Sequence, residues 1–251
     1  MRKVVIIGYG KMAQAILFGM KSGNWDMQSV EVVGRDEEKL KVIKEEFNVK
    51  TALIDGYDIS QKIVILAIKP YALQEVSMRI RGEADVLISI LAGKSLVELQ
   101  RIKAKSYIRA MPNVAAKYAA STTVITGDEN ARGIATEILS KIGEVIWVES
   151  DDEVDMATAI IGSGPAFLAM IAEAIADGGV YVGLKRDVAV RLTRGLFKSF
   201  GALEDEFCEI KKSVMSPKGT TAEGIRSLEE DSVRSAFMKG VIKTYEKAKR
   251  I

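Results

Sequence analysis

The chain has 251 residues, 28% charged and 48% apolar, with 36 basic residues against 34 acidic and a net charge of +2. These proportions describe an ordinary soluble globular protein with a sizeable core in one large or two modest domains, and the mixed charge gives no footprint for nucleic acid or membrane. There is no histidine, which excludes catalytic triads, imidazole proton shuttles and most zinc sites, so no metal site is expected. The single cysteine, Cys208, cannot form an internal disulfide and reads as a small apolar filler in a reducing compartment. Arg2 and Lys3 run straight into an apolar strand, leaving no separate signal segment, which predicts a cytoplasmic protein.

In chain order, Val4 to Ile7 form the continuous β-branched run of a strand buried on both faces. Gly8, Gly10 and Ala13 follow as G-x-G-x-x-A, with Tyr9, Lys11 and Met12 between them, and Met12, Ile16, Leu17 and Met20 then recur at helical spacing. Gly8 permits the tight turn, Gly10 lets a pyrophosphate approach the backbone, and Ala13 lets the helix pack on the strand. The anion would sit at the helix N-terminus, where free N–H groups and the helix dipole favour negative charge. Placed between strand and helix, the motif predicts a dinucleotide site; a glycine turn without a ligand is the bland alternative.

Val30–Val33 is a second strand ending in Gly34-Arg35-Asp36, and 37–47 is a charged surface helix. Ile63–Ile68 is a further strand stopped by Lys69-Pro70, with Pro70 suited to the first turn of a helix. Val86–Leu91 leads through Ala92-Gly93 to a helix start at Ser95, where Glu98 completes a capping-box pattern. Tyr107–Met111, Thr122–Ile125 and Glu144–Val148 complete an alternation that predicts an α/β fold with a parallel sheet, a Rossmann dinucleotide-binding domain over 1–150. From 151 the texture becomes helical, giving an all-helical second domain over 151–251. Within it 166–176 is apolar nearly all round, which predicts a buried helix, covered by a second subunit in so small a domain. It is read as no membrane span, because Gly162-Ser163-Gly164-Pro165 interrupts the run and Glu173 and Asp177 lie in it. Further helices are expected at 186–204, 205–214, 222–229 and from 231 to the end.

At the end of the second strand an acid would bond the ribose 2′-hydroxyl of NAD, whereas an Arg accommodates the 2′-phosphate of NADP. Arg35 comes first and presents a planar fork to a phosphate, while Asp36 is placed to cap the next helix. NADPH is therefore the favoured cofactor, NADH the alternative, and a solvated surface role the bland reading of Arg35.

Ala67-Ile68-Lys69-Pro70, Ser89-Ile90-Leu91-Ala92-Gly93, Arg109-Ala110-Met111-Pro112-Asn113 and Gly162-Ser163-Gly164-Pro165-Ala166-Phe167 carry a resemblance. With Asp177-Gly178-Gly179-Val180 and Ser216-Pro217-Lys218-Gly219-Thr220-Thr221, they are similar, in order and over essentially the whole chain, to the pyrroline-5-carboxylate reductases. The resemblance implies a Rossmann domain, a helical dimerisation domain, and reduction of a cyclic imine carboxylate to proline by NAD(P)H, in a homodimer or a larger assembly of dimers. It implies that Ser216, Gly219, Thr220 and Thr221 hold the substrate carboxylate, with Gly164 and Pro165 near the substrate. It also aligns Thr221 with a substrate-contacting threonine that would hydrogen-bond the ring nitrogen or relay a proton to it. Read physically, the loop puts an anion site at a helix N-terminus, and Thr220 or Thr221 as a plain N-cap is compatible with that.

Beside the turn at Gly8–Ala13 and Arg35, the cofactor-binding candidates are Ala67, Ile68, Lys69, Pro70, Ala92, Gly93 and Asn113, all at strand ends. Lys69 can equally be a surface residue, and Arg109, inside a strand, a structural partner of a buried acid. Two departures stand out: Lys218 where the family usually has Gly, and Val-Ala-Ala-Lys-Tyr after Asn113 in place of the usual Thr-Pro. Two other readings compete. One is a paralogue acting on a neighbouring imine or hydroxy acid, with Lys185 or Lys198 as its lysine. The other is a non-catalytic dinucleotide sensor, to which Lys218 points and against which the Thr220-Thr221 pair counts.

Overall fold

The computed structural model describes residues 3–249, which divide into two compact units, 3–162 with 245–249, and Ser163–Thr244. By compactness the chain divides at Gly162, eleven residues beyond the change of texture at 151.

In the first unit the elements run β1 (Val4–Ile7), α1 (Lys11–Ser22), β2 (Val30–Gly34), α2 (Glu37–Phe47), β3 (Lys50–Leu53), β4 (Tyr57–Asp58), β5 (Ile63–Leu66) and α3 (Leu73–Arg79). They continue with β6 (Ile80–Arg81), β7 (Val86–Ser89), α4 (Leu96–Leu99), β8 (Tyr107–Met111), β9 (Ser121–Gly127), α5 (Glu129–Leu139), β10 (Gly143–Trp147) and α6 (Asp151–Ala157). Eight strands form one sheet in the order β10-β9-β8-β7-β5-β1-β2-β3, while β4 pairs with β6. Along β1, Val4 and Ile6 enter one core and Val5 and Ile7 the other, so both faces of the strand are buried and its sequence is apolar without alternation.

The expected parallel sheet needs one correction: β8 and β9 are antiparallel. Their connection, 112–120, is too short for the crossover that parallel neighbours require. The predicted punctuation holds elsewhere. Asp36 caps α2, and Ser95 and Glu98 form a complete capping box on α4. Pro70 opens a 3-10 turn that leads into α3. The strand β3 and the helix α5 answer to no predicted element.

At α6 a buried ion pair joins helix to sheet. Arg109, 1% exposed in β8, pairs with Asp151 at 3.1 Å and with Asp155. The structural reading of Arg109 is the one its surroundings support. The break expected at Gly162 to Pro165 is short: α6 passes into a π-helical turn, Thr158–Gly162, Ser163 is a turn residue, and Pro165 falls in the first turn of the next helix. There its missing N–H leaves no helix bond unmade.

The second unit contains α7 (Gly164–Tyr181), α8 (Arg186–Phe200), α9 (Phe207–Val214), α10 (Thr220–Glu230) and most of α11 (Val233–Ala248); the expected end of the last helix lies outside the described residues. Within the single chain α7 is largely uncovered, as the expectation of cover from a second subunit requires. Only Ala176 of α7 is buried, and Leu168, Met170 and Tyr181 are exposed. By length and composition, Asp151–Tyr181 is the one run among the described residues that passes for a membrane-crossing helix, yet its first turn is committed to Arg109. Cys208 lies exposed on α9 rather than filling a core.

Phe47, the last residue of α2, is fully buried, with its ring edge-on to Phe18 of α1 at 4.7 Å between centroids. Phe47→Ala is expected to cost about 3–5 kcal/mol, read as a lowered urea midpoint with unchanged slope.

Candidate active site

A cleft of about 720 Å³ lies in the first unit beside the ends of β1, β2, β5 and β7. Its floor is the turn after β1. Gly8 has φ +113, and a Cβ there would strike the Ala67 carbonyl oxygen, so the ends of β1 and β5 come this close only around glycine. Gly10 leads into α1 with extended backbone and no side-chain cap, and the first turn of α1 contains no acid. Its N–H groups are therefore left for an anion. Lys11, exposed in that turn, opposes the helix dipole, a placement that a bound anion reverses. These residues fit a dinucleotide pyrophosphate.

The Tyr9 ring lies against Gly34 so closely that a Cβ on Gly34 would overlap it, and Lys39 Nζ stands 5.9 Å from the ring centroid. Arg35 lines the cleft, is exposed, and has no carboxylate partner among the described residues. Asp36 is otherwise engaged: its carboxylate accepts from Lys39 N at 3.1 Å and pairs with Lys39 Nζ at 3.1 Å. The Lys39 backbone N–H, then its ammonium, hold the Asp36 carboxyl below the ordinary carboxylate range.

Ala67, Ile68, Lys69 and Pro70 line another side of the cleft with Tyr71, and Ala92 lines it beside Ile90 and Leu91. Tyr9, Lys11 and Met12 also line it, as expected, while Ala13 is buried beneath the turn. Gly93 and Asn113 fall outside the lining. The Asn113 side chain caps a 3-10 turn, accepting from Ala115 N at 3.0 Å, and its backbone N–H donates to Ser121 Oγ at 3.0 Å. Several lining residues carried no sequence signal: Ile54 follows the unread β3, and Arg79 ends α3, held by Asp55 and Glu75. Tyr71 could have been found from its place after Lys69-Pro70.

In the second unit, the chain turns at Ser216–Gly219, closed by Gly219 N–H donating to the Ser216 carbonyl at 2.9 Å. Lys218 sits in that turn at φ +60, a left-handed conformation that usually takes glycine. The loop therefore holds a backbone that glycine takes freely and carries an exposed cation there. Gly219 precedes α10 with extended backbone and no side-chain cap. Thr220 is exposed and Thr221 half-buried in the first turn, and neither hydroxyl serves as the N-cap. Gly164 and Pro165 form the first turn of α7, which also lacks a side-chain cap. Lys185 and Lys198 are exposed at the two ends of α8.

Against known proteins, residues 151–251 match a family model described as pyrroline-5-carboxylate reductase dimerisation, and residues 3–93 one described as NADP oxidoreductase, coenzyme F420-dependent. A pyrroline-5-carboxylate reductase of Helicobacter pylori is 35% identical over 250 residues, covering 96% of each chain. A solved pyrroline-5-carboxylate reductase from Coxiella burnetii superposes with a TM-score of 0.86 at 27% identity, over 99% of this chain and 98% of that one. The Plasmodium falciparum enzyme, solved with NADP bound, shares the fold at a TM-score of 0.81 and 22% identity, over 99% and 97% of the two chains. The glycine turn, the helical second unit and the full-length likeness converge: the chain belongs to the pyrroline-5-carboxylate reductase family of oxidoreductases.

Proposed function

We propose that the chain reduces 1-pyrroline-5-carboxylate to L-proline, the last step of proline biosynthesis, with NADPH preferred over NADH. The observation that carries this reading is the uncapped start of α1 under a glycine turn, an anion slot in a chain of this family. Arg35, without a carboxylate partner among the described residues, suits a 2′-phosphate, and the commitment of Asp36 to its helix cap argues against Asp36 as the ribose acceptor. The likeness of 3–93 to NADP oxidoreductases points the same way.

When bound, the reduced nicotinamide supplies a hydride. The imine carbon accepts it and the ring nitrogen takes a proton, so that C=N becomes CH–NH. The start of α10 would hold the substrate carboxylate on free N–H groups, with the Lys218 ammonium adding charge attraction. The Thr221 hydroxyl would donate to the ring nitrogen, directly or through water, which needs no histidine. In this reading a second copy of the chain covers α7, whose exposed Leu168 and Met170 otherwise leave apolar surface in water. Such an enzyme would act in the cytoplasm.

Loss of NADPH absorbance on adding pyrroline-5-carboxylate, with proline recovered as product, is the expected result; tight NADPH binding without turnover would overturn the assignment. Arg35→Ala is expected to raise KM for NADPH about tenfold or more, as for a lost charge-assisted bond, while KM for NADH holds. Thr221→Ala should lower kcat on the order of 10²–10⁴; a raised KM with kcat kept would reassign Thr221 to substrate holding. Lys218→Gly, which suits the left-handed backbone, should raise KM for the imine several-fold and leave kcat in place.

A further inference from the structure

We propose that Asp151 is a positioning residue for the cofactor cleft, acting through the backbone of Leu96; the proposal rests on the dinucleotide reading above. Asp151 and Asp155 lie one helical turn apart on α6, so both carboxylates face β8. Arg109 Nη1 donates to Asp151 Oδ1 at 3.1 Å and to the Asp151 carbonyl at 3.1 Å, and Nη2 pairs with Asp155. A purely structural ion pair would end there. The other oxygen of Asp151, Oδ2, accepts from Leu96 N at 2.9 Å.

Leu96 is the first residue of α4, four residues long and too short to hold itself in place. Its start is tied internally by the Ser95–Glu98 box, Leu96 and Leu99 pack on the core, and the Leu96 N–H is held by Asp151. The segment just before it, Ile90 to Ala92, is a wall of the cleft. The Ile90 end of that wall is held by the Leu66 carbonyl at 3.1 Å, while the Ala92 end is separated from Leu96 only by Gly93, Lys94 and Ser95, so the place where Leu96 is anchored bears on where the Ala92 end stands. Asp151 thus joins three elements: the buried cation of β8, the start of α4 and the first turn of α6. Asp155 joins only two of them. The roles of the two acids separate there.

The test is NADPH affinity by fluorescence titration, with thermal unfolding alongside, on the full chain and three variants. Asp151→Ala removes both the ion pair and the Leu96 acceptor, and Asp155→Ala removes an ion pair only. Leu96→Pro deletes the N–H and keeps both acids on Arg109; proline suits a first helical position, and Ser95 already has the extended backbone that precedes a proline (φ −72, ψ 161). Asp151→Ala and Leu96→Pro should each weaken NADPH by about fivefold or more and Asp155→Ala by less than about twofold, the scale of coupling through a packed network. Both Asp variants should melt earlier than wild type. Equal loss of affinity in the two Asp variants, or unchanged affinity in Leu96→Pro, overturns the proposal. If Asp151→Ala does not fold, Leu96→Pro decides it alone. Wild-type protein that fails to bind NADPH would instead overturn the cofactor reading, a result distinct from either.

Discussion

A guanidinium that is 1% exposed within a sheet must be met by acids, and α6 supplies two, Asp151 and Asp155. Desolvating an ion costs several kcal/mol, recovered only by close, well-oriented partners. Arg109 therefore fixes α6 across one face of β8, with Val154 of that helix buried against Met111 and Val124. The satisfaction is incomplete, since Arg109 Nε is buried without a partner among the described residues. A pair of this kind contributes placement more than stability. It explains why compactness assigns α6 to the sheet although its composition already resembles that of the helices beyond.

Much of the fold was legible because local signals and tertiary role agree. The run Val4 to Ile7, the Asp36 cap and the Ser95–Glu98 box each have a local cause that the structure preserves. What went unread has causes too. β3 lies at the sheet edge and is half-exposed, so Lys50-Thr51-Ala52-Leu53 lacks the apolar run that announces an interior strand. The reversal between β8 and β9 is invisible in composition, because a strand buried on both faces reads the same in either direction. Only the shortness of the connection could have disclosed it.

The helical unit shows another limit. An all-round apolar helix signals eventual burial without saying what covers it, and within one chain α7 is left mostly bare. In the Ser216–Thr221 loop, Lys218 holds at φ +60 a conformation that a glycine would take freely. Such strain, on the order of 1–3 kcal/mol for a non-glycine residue, persists where the surrounding structure requires it.

The two places where chemistry is assigned share one device. α1 and α10 are each preceded by a glycine, Gly10 and Gly219, in extended conformation and without a side-chain acceptor. Asp36, Ser95 and Ser150, by contrast, cap their own helices. A side-chain cap satisfies the first free N–H groups internally and ends their use; a glycine cap shapes the backbone and leaves those donors for something else. For α1 that vacancy faces a glycine turn and an exposed Lys11; for α10 it follows a loop carrying Lys218. A cation beside the positive end of a helix dipole is unfavourable in isolation and favourable once an anion lies between them. Under the proposed function the same logic would serve a pyrophosphate in one unit and a carboxylate in the other, and in both it is written in the residues that open the helix.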